Sequence, residues 1–336
     1  MRIYENYSLF DHNTFHLDVK TRWFVEYESE DELVKLMKDE YFLSQKVLHI
    51  GKGSNLLFLS DFDGVIVHSG IKGIEIVRED ANHIWLKVGA AENWDSFVAF
   101  CVDKNWGGIE NLSHIPGEVG ASAYQNIGAY GAEVSDCISE VHTYFIETGE
   151  KKTFHNEDCC YSYRYSFFKG PENKGLYYIS HVVYKLSKQP EYKIDYGDLR
   201  NRLEGKIIQL STVREAIIAL RQEKLPNPVT EGNAGSFFMN PYICMAHYEG
   251  LKKHYRDIPC YPVNDEVVKV PAAWLIEQCG LKGKTLGGAA VSEKQPLVIV
   301  NRNRATGGEI ALLAEEVQQT VKEKFGIEIR PEVNYI

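Results

Sequence analysis

Nothing in this sequence is long and apolar enough to lie across a bilayer; the longest hydrophobic runs, such as residues 297–300, are the length of a strand. The first twenty residues break their apolar positions with Arg2, Glu5, Asp11, His12 and Asp18. A continuous secretory core is therefore lacking, and a cytoplasmic protein is expected. Cys-x-x-Cys spacing is missing as well. The seven cysteines are odd in number and irregularly placed, with Cys159 and Cys160 adjacent, which makes a poor disulfide framework and offers no metal-ligand pair. No metal is expected. Positive charge is in deficit at a formal net −10, which argues against a nucleic-acid partner, because such binding needs basic surface to release counterions. A locally positive pocket for a small anion stays open, since cationic side chains and aimed amides act at short range. Internal repeats and low-complexity tracts are also absent.

What is present is ordinary globular composition, 44% hydrophobic and 25% charged over 336 residues, enough for two or three domains. Ser29 and Glu32 form a capping-box pattern ahead of Leu33, Leu36 and Met37 at helical spacing. Strand-sized runs follow at 47–50, 56–59, 65–67, 74–77 and 84–88, then a helix over 93–104 with Trp94, Phe97, Val98 and Cys101 on one face. Segments 138–147 and 176–187 alternate like strands, and 188–205 is polar and irregular. Later helices are predicted from Thr212 to about 225, from Pro271 to Gly280, and from the Thr306/Glu309 box to Gly326. Strand candidates lie at 235–239, 286–291, 297–301 and 327–336. Without regular βαβ alternation the class is α+β.

Two glycine motifs invite misreading. Gly51-Lys52-Gly53-Ser54-Asn55 could aim amides into a pyrophosphate-sized concavity, but Leu56 stands where a Rossmann fingerprint needs its third glycine, and a strand follows where a helix should. Taken alone, a plain glycine hairpin turn explains it. Gly283-Lys284-Thr285 lacks the earlier Walker glycine, Gln278 being there instead. The stretch 107–131 carries more: it reads as a long loop whose small residues let backbone lie against a ring or phosphate, with Ser122, Gln125 and Asn126 able to bond its edges.

Together with Ile115-Pro116-Gly117 and Gln125-Asn126-Ile127-Gly128-Ala129-Tyr130-Gly131, the 51–55 motif resembles the flavin-binding segments of the UDP-N-acetylenolpyruvoylglucosamine reductase family. The likeness continues in order through Tyr163-Arg164-Tyr165-Ser166, Asp195-Tyr196-Gly197-Asp198-Leu199, Gly232-Asn233-Ala234-Gly235-Ser236, 273–280, Gly287-Gly288-Ala289 and Pro331-Glu332-Val333. It implies a two-subdomain FAD-binding fold of the vanillyl-alcohol-oxidase type, at 1–70 and 71–205. An α+β substrate domain would follow at 206–336, with the lid insertion of type I members near 241–261 and a C-terminal strand. It further implies noncovalent FAD, NADPH as co-substrate, a UDP-amino-sugar substrate of cell-wall (peptidoglycan) synthesis, no membrane partner, and a monomer.

The resemblance assigns Gly51, Lys52, Gly53, Ser54, Asn55, Pro116, Gly117, Ser122, Gln125, Asn126, Gly128, Ala129, Tyr130 and Gly131 to FAD. Hydride addition to a vinyl ether conjugated to a carboxylate pushes charge onto that carboxylate, so a fixed cation and a proton source are needed. By resemblance Arg164 is the cation, Glu332 a second polariser carrying or sharing a proton, and Ser236 the proton donor. Tyr196, Lys224, Asn240, Tyr261 and Gln295 match positions that hold the sugar nucleotide or nicotinamide. Lys224 suits a diphosphate. The residues alone leave two alternatives open: an oxygen-using FAD oxidase of the same fold, and a noncatalytic sugar-nucleotide or flavin-binding module.

Overall fold

A computed structural model describes residues 1–336. The strands Val47–Ile50 and Leu56–Leu57 flank the first glycine motif, yet they do not pair with each other. Val47–Ile50 runs parallel to Phe62–Ser69, with Val47 opposite Val65, whereas Leu56–Leu57 runs parallel to Asn334–Tyr335. The motif is a crossover, not a hairpin turn. Accordingly the chain clusters into two compact units, one of Met1–Tyr7, Lys20–Lys52 and Phe62–Arg221, the other of Ser8–Val19, Gly53–Asp61 and Gln222–Ile336.

The first unit holds two sheets. One has four strands in the order Arg2–Ser8, Lys20–Tyr27, Phe62–Ser69, Val47–Ile50. Phe62–Ser69 is buried at every position but Asp63, the continuous burial expected of an inner strand with parallel neighbours. The helix Glu30–Leu36 starts where Ser29 accepts from the Glu32 N–H, and Leu33 and Leu36 enter a core with Val25, Val65 and Val67. The other sheet has five strands, all antiparallel, in the order Lys151–His155, Ile138–Phe145, Tyr177–Ser187, His83–Gly89, Ile74–Glu79. The helix Trp94–Asp103, capped by Asn93, shares a core with Leu86, Val88, Val141, Val182 and Tyr184.

Two expectations change here. The stretch 107–131 is not one loop: it contains the short 3-10 turn Glu110–Leu112 and the helix Val119–Gln125, whose Val119 and Ala123 join the same core. The small residues serve this packing, since a Cβ on Gly120 would sit 2.9 Å from that of Ala90. The polar stretch 188–205 folds into a helical turn, Leu199–Leu203, anchored by its two buried leucines. The N-terminal strands Arg2–Ser8 and Lys20–Tyr27 also exist, although the sequence carries little alternation there.

The second unit has a four-stranded sheet in the order Gly232–Asn233, Ile299–Asn301, Ala289–Val291, Thr285–Leu286. Its long helix Gly307–Phe325 has the full Thr306/Glu309 capping box and ends at Gly326 in the left-handed region. Where the lid insertion is expected, Tyr242–Cys244, Val267–Lys269 and Tyr261–Pro262 make a small sheet beside the helix Met245–Lys252. Residues 235–239 do not form the expected strand, because Gly235 turns the backbone to φ 70°; one bridge, Phe238 to Pro331, remains. No helix is long and apolar enough to cross a membrane.

Candidate active site

In the first unit the turn at Gly117 is tied down by its own backbone. Its carbonyl accepts from the Trp94 N–H at 3.1 Å, and the N–H groups of Val119 and Gly120 reach Glu92 and Ala90. Pro116 stays exposed while Gly117 is buried. At Gly51 a Cβ would lie 2.9 Å from Glu118 Oε2, whereas Lys52 is exposed. Beyond the helix, Asn126, Tyr130 and Gly131 adopt positive φ of 46°, 47° and 79°. Left-handed turns of this kind form the main-chain N–H concavities that receive anions.

Asn126 is fully buried, and its amide donates to Glu133 Oε2 and to the Ser162 carbonyl, both at 2.9 Å. Ser122 is likewise committed inside: its hydroxyl donates to the Val119 carbonyl at 2.7 Å and meets the Tyr184 hydroxyl at 2.9 Å. Gln125 accepts from Lys169 Nζ at 3.0 Å. Arg164 reaches back to this segment, with Nη2 donating to the Gly128 carbonyl at 2.9 Å and its guanidinium 5.4 Å from the Tyr163 ring centroid. Ala129 pairs with Ala132 in a two-residue ladder. Tyr196 lies edge-on to Tyr130 at 6.4 Å, close enough that a Cβ on Gly131 would be 3.3 Å from its own.

In the second unit Ser236 and Glu332 stand on facing segments. The Glu332 N–H donates to the Phe237 carbonyl at 2.8 Å, and the Met239 N–H donates to the Arg330 carbonyl at 2.9 Å. The Asn55 amide donates to the Glu332 carbonyl at 3.1 Å, and the Asn55 carbonyl accepts from the Asn334 N–H at 3.0 Å. Gly53 cannot be replaced here: its φ is 64°, and a Cβ would come 2.0 Å from the His12 carbonyl oxygen. Ser54 is half-buried beside it. Next to Ser236, a Cβ on Gly235 would project into open space, which leaves room for a molecule to approach the backbone closely.

Gln295 belongs to the turn alongside, whose Leu297 carbonyl accepts from the Phe237 N–H at 2.7 Å. Asn240 spends its Oδ1 on the Ala272 N–H at 2.9 Å, starting the helix Ala272–Gln278. Tyr261 is exposed in the small sheet with Lys269 Nζ 5.8 Å from its ring centroid, and Lys224 is exposed at the end of the helix Leu210–Lys224. The structure thus gathers Ser236, Glu332, Asn55 and Gln295 in one unit, and Arg164, Gln125, Gly128 and Tyr196 in the other.

Comparison with known proteins decides between the readings these arrangements allow. The protein named UDP-N-acetylenolpyruvoylglucosamine reductase in Bacteroides fragilis is 50% identical over 333 residues, 99% of both chains. Its namesake in Porphyromonas gingivalis is 48% identical over 338 residues, the whole of both. The chain belongs to the UDP-N-acetylenolpyruvoylglucosamine reductase family. The family's C-terminal domain matches residues 227–336, and a general FAD-binding domain matches 21–154. Among solved structures, the reductase of Thermus caldophilus superposes over 100% of this chain and 99% of its own at TM-score 0.70 and 20% identity. A p-cresol methylhydroxylase covers 97% of this chain and 84% of its own at TM-score 0.50 and 12% identity. The two-subdomain FAD-binding fold is that of this reductase family.

Several polar residues packed around this part of the first unit carry no signal in the sequence. Arg221, half-buried on the helix Leu210–Lys224, donates from Nε to the His114 carbonyl at 3.2 Å, next to the Pro116-Gly117 turn. Burial lowers its pKa, against the opposing pull of Tyr130 and Asp95, and Arg164 adds to the lowering. Two turns earlier on the same helical face, Arg214 forms a forked bond to Asp95 at 2.6 and 3.0 Å. Burial pushes the Asp95 carboxyl up, but Arg214 and the His114 N–H hold it below the usual range. Asn111 donates to the carbonyls of Tyr130 and Lys193 at 2.8 and 2.7 Å. These are single polar residues at unremarkable spacing.

No His-x-x-x-His pair is expected, yet His12 and His16 stand four apart. They do not lie on a helical face: His12 ends a 3-10 turn, His16 has φ 54°, and His16 Nε2 is 2.9 Å from the Pro228 carbonyl oxygen. No group of three or more His, Cys, Asp or Glu is placed to hold a metal ion.

Proposed function

We propose that this chain reduces the enolpyruvyl ether of a UDP-N-acetylglucosamine substrate to the lactyl ether of UDP-N-acetylmuramate, a step in peptidoglycan precursor synthesis. The residues fit a noncovalent flavin: at Gly51 and Gly128 a Cβ would meet close neighbours, so that backbone defines the surface, and left-handed turns cluster at 126–131. Bound FAD would supply the hydride chemistry that links NADPH to the carbon–carbon double bond. The observation that carries the reading is the facing of Ser236 and Glu332 through the Glu332 N–H to Phe237 carbonyl bond, in a chain whose relatives are named for this reduction.

Arg164 receives the substrate carboxylate, where negative charge grows as the double bond is attacked; a planar guanidinium makes parallel bonds to both oxygens. Glu332, carrying or sharing a proton, polarises the same developing acid rather than repelling it. Ser236 Oγ delivers the proton to the neighbouring carbon, which balances hydride plus proton across the double bond. Lys224 pairs with the diphosphate, while Tyr196, Asn240, Tyr261 and Gln295 hold sugar, base or nicotinamide. The protein works in the cytoplasm as a monomer.

The test begins with colour. Purified protein reconstituted with FAD should bleach when NADPH is added without oxygen, and the enolpyruvyl substrate should restore the absorbance. A protein that folds without taking up flavin, or whose bleached form reoxidises in air but ignores that substrate, would overturn the reading; the second outcome points to an oxidase.

A further inference from the structure

Arg164 sits at φ 56°, in the left-handed region that residues with a Cβ avoid. The surrounding structure must hold it there. Ser162 and Tyr165, on either side of it, close a tight turn, with the Ser162 N–H donating to the Tyr165 carbonyl at 3.2 Å and the Tyr165 N–H donating to the Ser162 carbonyl at 2.9 Å. That turn fixes the ends of the strained residue but leaves its own carbonyl to be satisfied. Lys169 Nζ donates to this carbonyl at 2.7 Å and, from the same ammonium, to Gln125 Oε1 at 3.0 Å.

The lysine stands on firm ground. Phe168 beside it is buried among Phe154, Phe167 and Tyr177, and the Lys169 N–H closes a turn onto the Ser166 carbonyl at 3.0 Å. Ser166, itself fully buried, donates from Oγ to the Tyr124 carbonyl at 2.6 Å. Four side chains therefore connect residues 162–169 to residues 124–128: Asn126, Arg164, Ser166 and Lys169. Of these, only Lys169 grips the Arg164 peptide.

We propose that Lys169 is a positioning residue for Arg164, holding the Arg164 carbonyl so that the left-handed peptide keeps the guanidinium at Gly128 and in register with the substrate carboxylate. Without the ammonium the Arg164 peptide is released toward negative φ, and the guanidinium swings from Gly128. This rests on the role given to Arg164 above. It also separates two duties, because Lys169 acts when the enolpyruvyl substrate reacts and not when NADPH does.

Lys169→Met, which keeps the stem and loses the donors, tests this against Lys169→Arg, which restores a donor of similar reach, and Arg164→Ala. In stopped-flow measurements, Lys169→Met should slow reoxidation by the enolpyruvyl substrate by about 10- to 100-fold, as expected for a misplaced binding group. Flavin reduction by NADPH and FAD affinity, read by fluorescence titration, should stay within about twofold. Lys169→Arg should recover most of the lost rate. The proposal is overturned if Lys169→Met reoxidises like wild type while Arg164→Ala is slow. Parallel loss of both half-reactions with weaker FAD binding overturns it too, as a purely structural role. Normal reoxidation in Arg164→Ala would instead remove the role of Arg164 on which it rests.

Discussion

The Glu332 N–H and the Phe237 carbonyl are 2.8 Å apart, and this one bond sets the segment bearing Ser236 against the segment bearing the acid. The Phe237 N–H is engaged on the other side, by the Leu297 carbonyl at 2.7 Å. Both main-chain groups of Phe237 are therefore used to fix the neighbour of Ser236, and its ring, fully buried, packs edge-on to Phe15 at 6.3 Å. The hydroxyl follows from a backbone held at three points.

Ser236→Ala removes only an oxygen from this frame. Flavin reduction by NADPH should remain near wild type, while reoxidation by the enolpyruvyl substrate should fall by roughly 10²- to 10⁴-fold, the usual worth of a positioned proton donor. Rapid-mixing absorbance separates the two steps. Equal losses in both would place Ser236 outside proton delivery.

Arg164→Lys keeps the charge and loses the planar fork. Turnover should drop by about 10- to 100-fold, as expected when one bond of a bidentate pair is lost along with its geometry. Steady-state kinetics on the enolpyruvyl substrate reads this directly, and turnover equal to wild type would remove the carboxylate from Arg164.

Gly53 and Gly235 share a left-handed φ, 64° and 70°, but differ in what surrounds them. Alanine at 53 would meet the His12 carbonyl oxygen at 2.0 Å, a backbone clash that no rotamer relieves, so Gly53→Ala should cost about 3 kcal/mol or more of stability. Gly235→Ala meets nothing within 4 Å and should cost only the backbone strain, about 1–2 kcal/mol. Its larger effect should fall on the KM for substrate. Denaturant melts of the two variants give the comparison, and equal stabilities would refute it.

His68 is buried between two carboxylates, Nδ1 at 3.0 Å from Glu26 and Nε2 at 3.2 Å from Glu118. Burial by itself lowers the imidazole pKa, but Glu118 and then Glu26 outweigh it and the net shift is upward. Arg2 also pairs with Glu26, and the neighbouring His49, kept near pKa 3 by burial, stays neutral. A folded-state pKa above the unfolded value stabilises the fold fully below about pH 6.5 and loses that contribution as pH rises through the folded value. The melting temperature of the wild type should fall more steeply on the alkaline side than that of His68→Asn. Parallel pH profiles would show that the imidazolium contributes nothing.

Local chemistry was legible in the sequence, and distant chemistry was not. The Thr306/Glu309 box and its Gly326 stop are written within single turns, so the helix between them could be read directly. The flavin-segment glycines suggest room for a ligand, yet Gly120 is small because Ala90 is beside it. The resemblance puts Ser122 at the cofactor's edge, but nothing local announces that its hydroxyl bonds Tyr184, 62 positions away. No residue type announces a left-handed arginine either, and the lysine beneath Arg164 is one polar side chain after two phenylalanines. The crossover at Gly51–Asn55 was invisible for the same reason, because the partner strand of Leu56–Leu57 is the last one in the chain.

That last pairing sets an order of events during synthesis. Asn55 must wait for Glu332, 277 positions later, and the N–H groups of Leu59 and Ile336 close onto the carbonyls of Ile336 and Leu57 at 3.0 and 2.9 Å. At ordinary elongation rates that wait is on the order of tens of seconds. Residues 55–59 leave the ribosome early with their edge unpaired and acquire these partners only once residues 332–336 have been made. The acid at Glu332 is thus locked in by a late pairing, and a change at residues 334–336 would be felt first at that carboxyl.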